Sequence, residues 1–398
     1  MVSTVGDGMH VTALALLAAS LTRDPLQVSL VVFASHFPLL LFSLPGGALV
    51  DRWDRRTTMW TVDACRCLVV AALAAAVLAG WASIPLLLAA GFLLGTGQTL
   101  FDTASQAIVP AIVGREPRRL ERANSRLQGA EIVGTTFAGP PVGGLLFSLA
   151  ASLPFWADAV SFLASSALLA AVRGRFRQRR QPAAAPSSLR TEVVEGLRWL
   201  LAHRLLRAVA VMVGVTNLLG GACLAILVLF AQEKLHVTGV GYGLLVSGFA
   251  AGGLLGSVLA ARLSGRFGAA RLMIAEVALE GVTTSAVGLV SNAWVAGGLL
   301  VLLGFEVIVW NVMSASLRQA LLPDRLIGRV LSAYRLISLG AGPLGAIVGG
   351  VLGRTVDLRA PFLLDGMVLV PMALLGLRVV NTRTVQAARA AAAAAPPA

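Results

Sequence analysis

Carboxylates set inside long apolar runs are the residues of this chain best placed to do chemistry. Asp7, Asp63, Asp102, Glu131, Asp158, Glu276, Glu280, Glu306 and Asp365 all sit in such runs. An ionisable group in hydrocarbon is costly, so it faces a partner or a wet path and marks ion or substrate movement. Asp7, flanked by Gly6 and Gly8, reads as an unpaired acid whose counterpart later in the chain is approximately Asn217. That setting suits a proton-coupling site. Glu131, two turns before a Gly-Pro stretch and with no acidic mate, is the second proton-coupling candidate. Glu306 lies in Gly304-Phe305-Glu306-Val307-Ile308-Val309-Trp310-Asn311. An acid, aromatics and an amide clustered there suit an amphipathic or cationic substrate, with Phe305, Glu306, Trp310 and Asn311 lining its site. Asp63 and Arg66, three apart on one helix, read as a structural ion pair. Asp158 and Asp365 occupy matched positions and read as helix-start or gating contacts, and Asp102 as a wet or gate-related group. His10 and His36 read as packing histidines.

Other chemistries find no footing. The chain contains no Gly-x-x-x-x-Gly-Lys-Ser/Thr loop for a nucleotide phosphate, no metal-ligand spacing and no nucleophile–base set. Cys65 and Cys67 point about 200° apart on a helix, so they cannot share a metal or bridge. The expectation is a protein with no enzyme activity, no metal and no cofactor.

The elements that must position these carboxylates follow from composition. With 57% apolar residues, 13% charged residues and 42 glycines, the chain is far from a soluble domain, in which roughly 25% of residues are charged. A helical crossing needs about 20 apolar residues. Twelve such runs are read near 1–21, 26–50, 57–80, 84–110, 123–149, 155–172, 206–232, 240–262, 270–290, 293–317, 326–352 and 361–380. They do not alternate as transmembrane strands do. The fold class is an all-α membrane protein with twelve transmembrane helices. Met1 leads directly into the first run without a basic leader, and the natural start is expected upstream of it.

The net charge of +13 is a matter of topology. Arginines crowd alternate loops, as in Arg52, Arg55 and Arg56, then Arg115, Arg118, Arg119 and Arg122, then the stretch from Arg173 to Arg207. The intervening loops hold little more than Arg23, Lys234, Arg354 and Arg359. This bias follows the positive-inside rule and places both termini in the cytoplasm of a multi-pass protein of the cell inner membrane. Nucleic acid is not an expected partner; the bilayer, a small-molecule substrate and protons are, with the chain acting as a monomer.

Internal repetition divides the chain. Gln106-Ala107-Ile108-Val109-Pro110 matches Gln319-Ala320-Leu321-Leu322-Pro323, and Pro154-Phe155-Trp156-Ala157-Asp158 matches Pro361-Phe362-Leu363-Leu364-Asp365. Gly139-Pro140-Pro141-Val142-Gly143-Gly144 matches Gly342-Pro343-Leu344-Gly345 followed by Gly349-Gly350. The charged loop Gly47-Ala48-Leu49-Val50-Asp51-Arg52-Trp53-Asp54-Arg55-Arg56 has a weaker copy at Leu263-Ser264-Gly265-Arg266-Phe267, which lacks the acid. Repeats of this kind are the plan of an alternating-access transporter. The expected parts are a six-helix half over 1–172, a linker over 173–204 and a second six-helix half over 205–382. The linker carries an amphipathic surface helix from Leu189, and a disordered tail spans 383–398.

In the first charged loop, Asp51 can pair with Arg55 or Arg56 in one state and release in another, and Gly47 admits a neighbouring helix. Gly47, Asp51, Arg52, Arg55 and Arg56 together make a conformational latch. The Gly139, Pro140, Gly143 and Gly144 stretch strips hydrogen bonds and side chains from the middle of the fifth span, so a kinked, smooth-faced helix is expected there.

On these residues the chain resembles the major facilitator superfamily over essentially its whole length. The Gly47–Arg56 loop is similar to that superfamily's motif between helices 2 and 3. Gly134-x-x-x-x-Gly139-Pro140-x-x-Gly143-Gly144 is similar to the helix-5 antiporter motif of its drug–proton exchangers. Val5-Gly6-Asp7-Gly8 and Ala123-Asn124-Ser125 add a likeness to the enterobactin-exporter and macrolide-efflux branch. The resemblance implies proton-driven export of small amphipathic organic compounds. A departure is the absence of an arginine-containing motif from the fourth span, where Gln98 and Gln106 are the polar residues. The same fold serving as a metabolite facilitator or importer, or as a non-transporting sensor or scaffold, is the alternative.

Overall fold

Prolines and polar caps open the helices where the apolar runs begin. The computed structural model describes residues 2–42, 53–113, 116–172, 189–322 and 327–387. Among them are fourteen α-helices and one π-helical segment, and no strand.

In the first half, α1 is Val2–Leu21, α2 Pro25–Phe42, α3 Arg55–Leu78 and α4 Ile84–Val113. Asp24 accepts the Leu26 amide at 3.0 Å and so starts α2, as Asp54 starts α3 by accepting Thr57 N–H at 3.0 Å. The fifth span is α5 (Pro117–Glu131), a π-helical segment (Ile132–Ala138) and α6 (Gly139–Leu149). The sixth is α7, Leu153–Ala171, with Pro154 in its first turn.

The second half begins with α8, Leu189–Ala202, where the amphipathic pattern places a surface helix. Then come α9 (Arg204–Glu233), α10 (Gly239–Phe267), α11 (Ala269–Leu289), α12 (Ala293–Leu321), α13 (Ile327–Thr355) and α14 (Ala360–Gly376). Gly268, at φ 82°, turns α10 directly into α11. Asn292 caps α12 by accepting from Trp294 and Val295 at 2.9 and 3.2 Å. Among the described residues eleven helical spans, one of them formed by α5, the π segment and α6 together, are long and apolar enough to cross a membrane, and α14 is a shorter apolar helix. Leu68, Leu163 and Val258 stay exposed on these helices, as lipid-facing side chains do.

Packing resolves two compact units: Met1–Ala184 with Leu227–Ser247, and Ala185–Ile226 with Gly248–Ala398. In the first, α3 packs with α4 and α7, α2 with α4, and α1 with α6 and α7. In the second, α11 packs with α12 and α14, and α8 with α13. The second unit holds a continuous core that includes Leu206, Met273, Trp310, Leu317 and Leu369.

The interruption in the fifth span has a local cause. Pro140 and Pro141 have no N–H to offer the carbonyls of Thr136 and Phe137, so the preceding turn takes the wider π register. The Ser247 hydroxyl, in the same unit, donates to the freed Phe137 carbonyl at 2.8 Å. A side chain at Gly8 would run into the Thr135 backbone, and one at Gly143 into the backbone of Met9. Bare backbone is what lets α1 lie against the π segment and α6. In the second unit, Gly345 and Gly349 of α13 approach Leu218 and Ala222 of α9 in the same way.

Candidate functional site

Arg66 organises the polar interior of the first unit. Its side chain is 3% exposed. From α3 its Nη2 donates to Asp7 Oδ1 on α1 at 2.5 Å and to Gln98 Oε1 on α4 at 2.6 Å. Its guanidinium lies over the Phe162 ring of α7, 4.0 Å from the centroid, a cation–π contact. The Asp63 partner expected from helical spacing is present, but at 3.7 Å between Nη1 and Oδ1. Asp63 itself accepts from Ser165 of α7 at 2.6 Å through Oδ2.

Asp7 is therefore not the unpaired acid that its sequence setting suggests. A long arginine side chain carries its charge from α3 to α1, and no local spacing can show that. Gly6 has its own reason: a side chain there would strike Asp158 Oδ1 and Ser161 Oγ. Asp158, fully buried, lies 2.8 Å from His10 Nδ1 and accepts from Ser161 at 3.0 Å. His10 is thus a partner for the acid of the sixth span. Asp7, His10 and Asp158 place one ligand atom each within 4.8 Å of one another. Arg66 already supplies positive charge at Asp7, and we read the trio as part of the ion-paired network and not as metal ligands.

The network continues along α4, where Gln98 Nε2 donates to Asp102 Oδ1 at 2.9 Å. Glu131, exposed at the end of α5, lies within electrostatic reach of Asp102. Hydrogen bonds thus run from buried Asp7 through Arg66 and Gln98 to Asp102. Sequence reasoning missed Arg66 as the hub, and with it His10 and Phe162. Their one signal was polarity, or ring area, inside an apolar run.

Of the latch residues, Gly47, Asp51 and Arg52 lie outside the described residues. Arg55 and Arg56 are described, and both reach helix carbonyls. Arg55 donates to Ala107 O of α4 at 2.7 Å, and Arg56 to Leu169 O at 2.9 Å and to Ala170 O of α7. Cations near the C-terminal ends of helices complement the helix dipole.

In the second unit, Glu306 is fully buried and accepts from Thr283 of α11 at 2.9 Å. Its Oε2 has no hydrogen-bond partner among the described residues, and neither does Trp310 Nε1 one turn on. Glu276, Glu280 and Asp365 are buried too, the last two within electrostatic reach of one another. Among the described residues no cation forms an ion pair with any of these four acids. The substrate-lining set read from sequence does not gather on one face. Glu306 and Trp310 share a buried face, Asn311 is exposed, and Phe305 is half-buried against Gly252 and Gly256 of α10. At about 100° per residue, consecutive positions cannot all face one way. Among the described residues the second unit therefore differs from the first in chemistry as well as sequence: buried acids without an ion-pair partner, against acids arranged around Arg66.

The family profile described as transmembrane secretion effector, of the major facilitator transporters, matches residues 1–397. The chain belongs to that family. It is a multi-pass membrane transporter, and the family is one of transporters, not enzymes. The multidrug efflux pump Tap of Mycolicibacterium fortuitum is 27% identical over 384 residues, covering 94% of this transporter and 91% of Tap. Tap of Mycobacterium tuberculosis strain H37Rv is 25% identical over 390 residues, covering 95% and 91%. The uncharacterized MFS-type transporter YfiS of Bacillus subtilis is 26% identical over 404 residues, covering 94% and 90%. Among solved structures, a bacterial homologue of the iron transporter ferroportin, in an inward-facing state, aligns with a TM-score of 0.72 at 17% identity over 96% of each chain. The nucleoside transporter NupG aligns at 0.73 and 12% identity, over 95% of this transporter and 97% of NupG. At these identities the structural likeness speaks for the fold.

Proposed function

We propose that this transporter is a secondary active exporter of small amphipathic organic compounds, drugs or secondary metabolites, working by proton antiport with alternating access. The observation that carries the reading is the buried carboxylate of Asp7 at one end of a hydrogen-bonded run through Arg66 and Gln98 to Asp102. Such a run suits proton exchange between a buried site and water. Its relatives named as multidrug efflux pumps, matched over nearly the whole chain, support export of organic compounds.

In this reading Asp7 and Glu131 take up and release protons. Glu306 and Trp310 carry the substrate-facing chemistry, an acid and an aromatic suited to an organic cation, with Phe305 and Asn311 at its margins. The loop from Gly47 to Arg56 holds one end of the cycle, and Gly139, Pro140, Gly143 and Gly144 let the fifth span move against α1. The transporter works as a monomer of two six-helix halves joined by the 173–204 linker, in the inner membrane with both termini cytoplasmic.

Proteoliposomes with an imposed pH gradient test it, with ethidium as the amphipathic cation. Gradient-driven ethidium flux is expected in the wild type and its loss in the Asp7→Asn/Glu131→Gln double variant. Undiminished flux in that variant removes the coupling assignment. A deletion strain hypersensitive to no compound of a broad panel would remove the export assignment.

A further inference from the structure

We propose that Arg66 is a two-position charge switch, handed from Asp7 to Asp63 when Asp7 takes a proton, and that this transfer unlocks α1 from α3. The proposal rests on Asp7 as a coupling residue and adds the device through which protonation becomes movement.

Arg66 stands between two acids on different helices and is bonded unequally to them. Asp7 holds it at 2.5 Å, while Asp63 Oδ1 waits at 3.7 Å. Among the described residues that buried Oδ1 has no hydrogen-bond partner, and the same is true of Arg66 Nε. An approach of about 1 Å would bring Nη1 into hydrogen-bond range of Asp63. Ser165 of α7 holds the other Asp63 oxygen at 2.6 Å, which leaves Oδ1 on the side of Arg66. The guanidinium carbon lies over the Phe162 ring, 4.0 Å from its centroid, within the range over which a ring face attracts a cation. The groups around this switch are Asp7 and His10 on α1, Asp63 on α3, Gln98 and Asp102 on α4, and Asp158 on α7. Glu131 of α5 lies beyond Asp102. His10 faces Asp158, and Gln98 both accepts from Arg66 and donates to Asp102, which leaves Asp63 Oδ1 as the open carboxylate oxygen beside Arg66 among the described residues.

The step balances simply. A proton from water adds to an Asp7 carboxylate oxygen and neutralises it. Arg66 keeps all its protons, leaves the now neutral Asp7, and pairs with the Asp63 carboxylate on its own helix. The α1–α3 ion pair becomes one internal to α3, and α1 loses its charged tie to α3. Deprotonation of Asp7 reverses the step.

Hydrogen exchange of α1 in the purified full-length protein, followed across pH, reads this without a substrate. Wild-type α1 is expected to exchange faster as pH falls. Asp7→Asn, which keeps Asp7 permanently neutral, is expected to exchange fast at every pH. Asp63→Asn removes the second seat, so about tenfold more protons should be needed for the same loosening. Asp63→Glu should restore the wild-type response, which a merely structural role for Asp63 would not predict. If Asp7→Asn keeps the wild-type pH response, Asp7 is not the coupling residue and the underlying reading falls. If Asp7→Asn behaves as expected but Asp63→Asn leaves the response unmoved, the switch alone is overturned.

Discussion

Arg66 Nη2 and Asp7 Oδ1 lie 2.5 Å apart and tie α3 to α1 across 59 positions of sequence. Both are buried, and Asp63 shares the same cation. Removing the arginine leaves two interior carboxylates without their charge partner. Arg66→Ala should destabilise the protein by about 3–5 kcal/mol, the usual result of breaking one side of a buried pair. Asp7→Asn should do less harm, since Arg66 still has Asp63 and Gln98. Thermal unfolding in detergent ranks the two, and equal losses would argue against a shared arginine.

The close approach of α1 to the fifth span depends on bare backbone. Gly8→Val and Gly143→Val should each lower stability by about 1–3 kcal/mol or prevent folding, because the added atoms meet main chain that cannot step aside. Gly129 is the control, since a side chain there meets nothing within 4 Å. Gly129→Ala should be neutral or stabilising by up to about 1 kcal/mol, as glycine disfavours a helix interior.

Ser247 serves a carbonyl that proline has stranded. Ser247→Ala should cost about 1 kcal/mol in the native background. Pro141→Ala returns an N–H that can bond Phe137 O within the helix, so in that background the Ser247 substitution should cost little. A double-mutant cycle on unfolding free energy measures the coupling, and additive losses would contradict the assignment of the π turn to the prolines.

Glu306 of α12 accepts from Thr283 of α11 at 2.9 Å, and both are buried. Thr283→Val should destabilise by about 1–3 kcal/mol by leaving the carboxyl buried without its donor. Glu306→Gln keeps an acceptor for Thr283 and should fold normally. In drug-accumulation assays it should reduce efflux of cationic compounds more than of neutral ones. A uniform loss across both would place Glu306 in the scaffold.

The sequence by itself determined the all-α membrane class, most span boundaries within a few residues and a helix from Leu189. These follow from hydrocarbon thickness, helical periodicity and loop charge, which are local properties. The Gly-Pro stretch was legible as a break for the same reason, because proline removes a specific N–H wherever it stands. Tertiary structure alone decided who pairs with whom. Spacing on α3 offered Asp63 as Arg66's partner, yet the shorter bonds cross to α1 and α4. Asp7 looked solitary and His10 inert, although each meets a charged partner on another helix. Glu306, Trp310, Asn311 and Phe305 were neighbours in the chain but turn to different sides of α12. A buried charge takes the partner that reaches it in space, and that is set by helix packing and side-chain length, which short-range sequence order does not record.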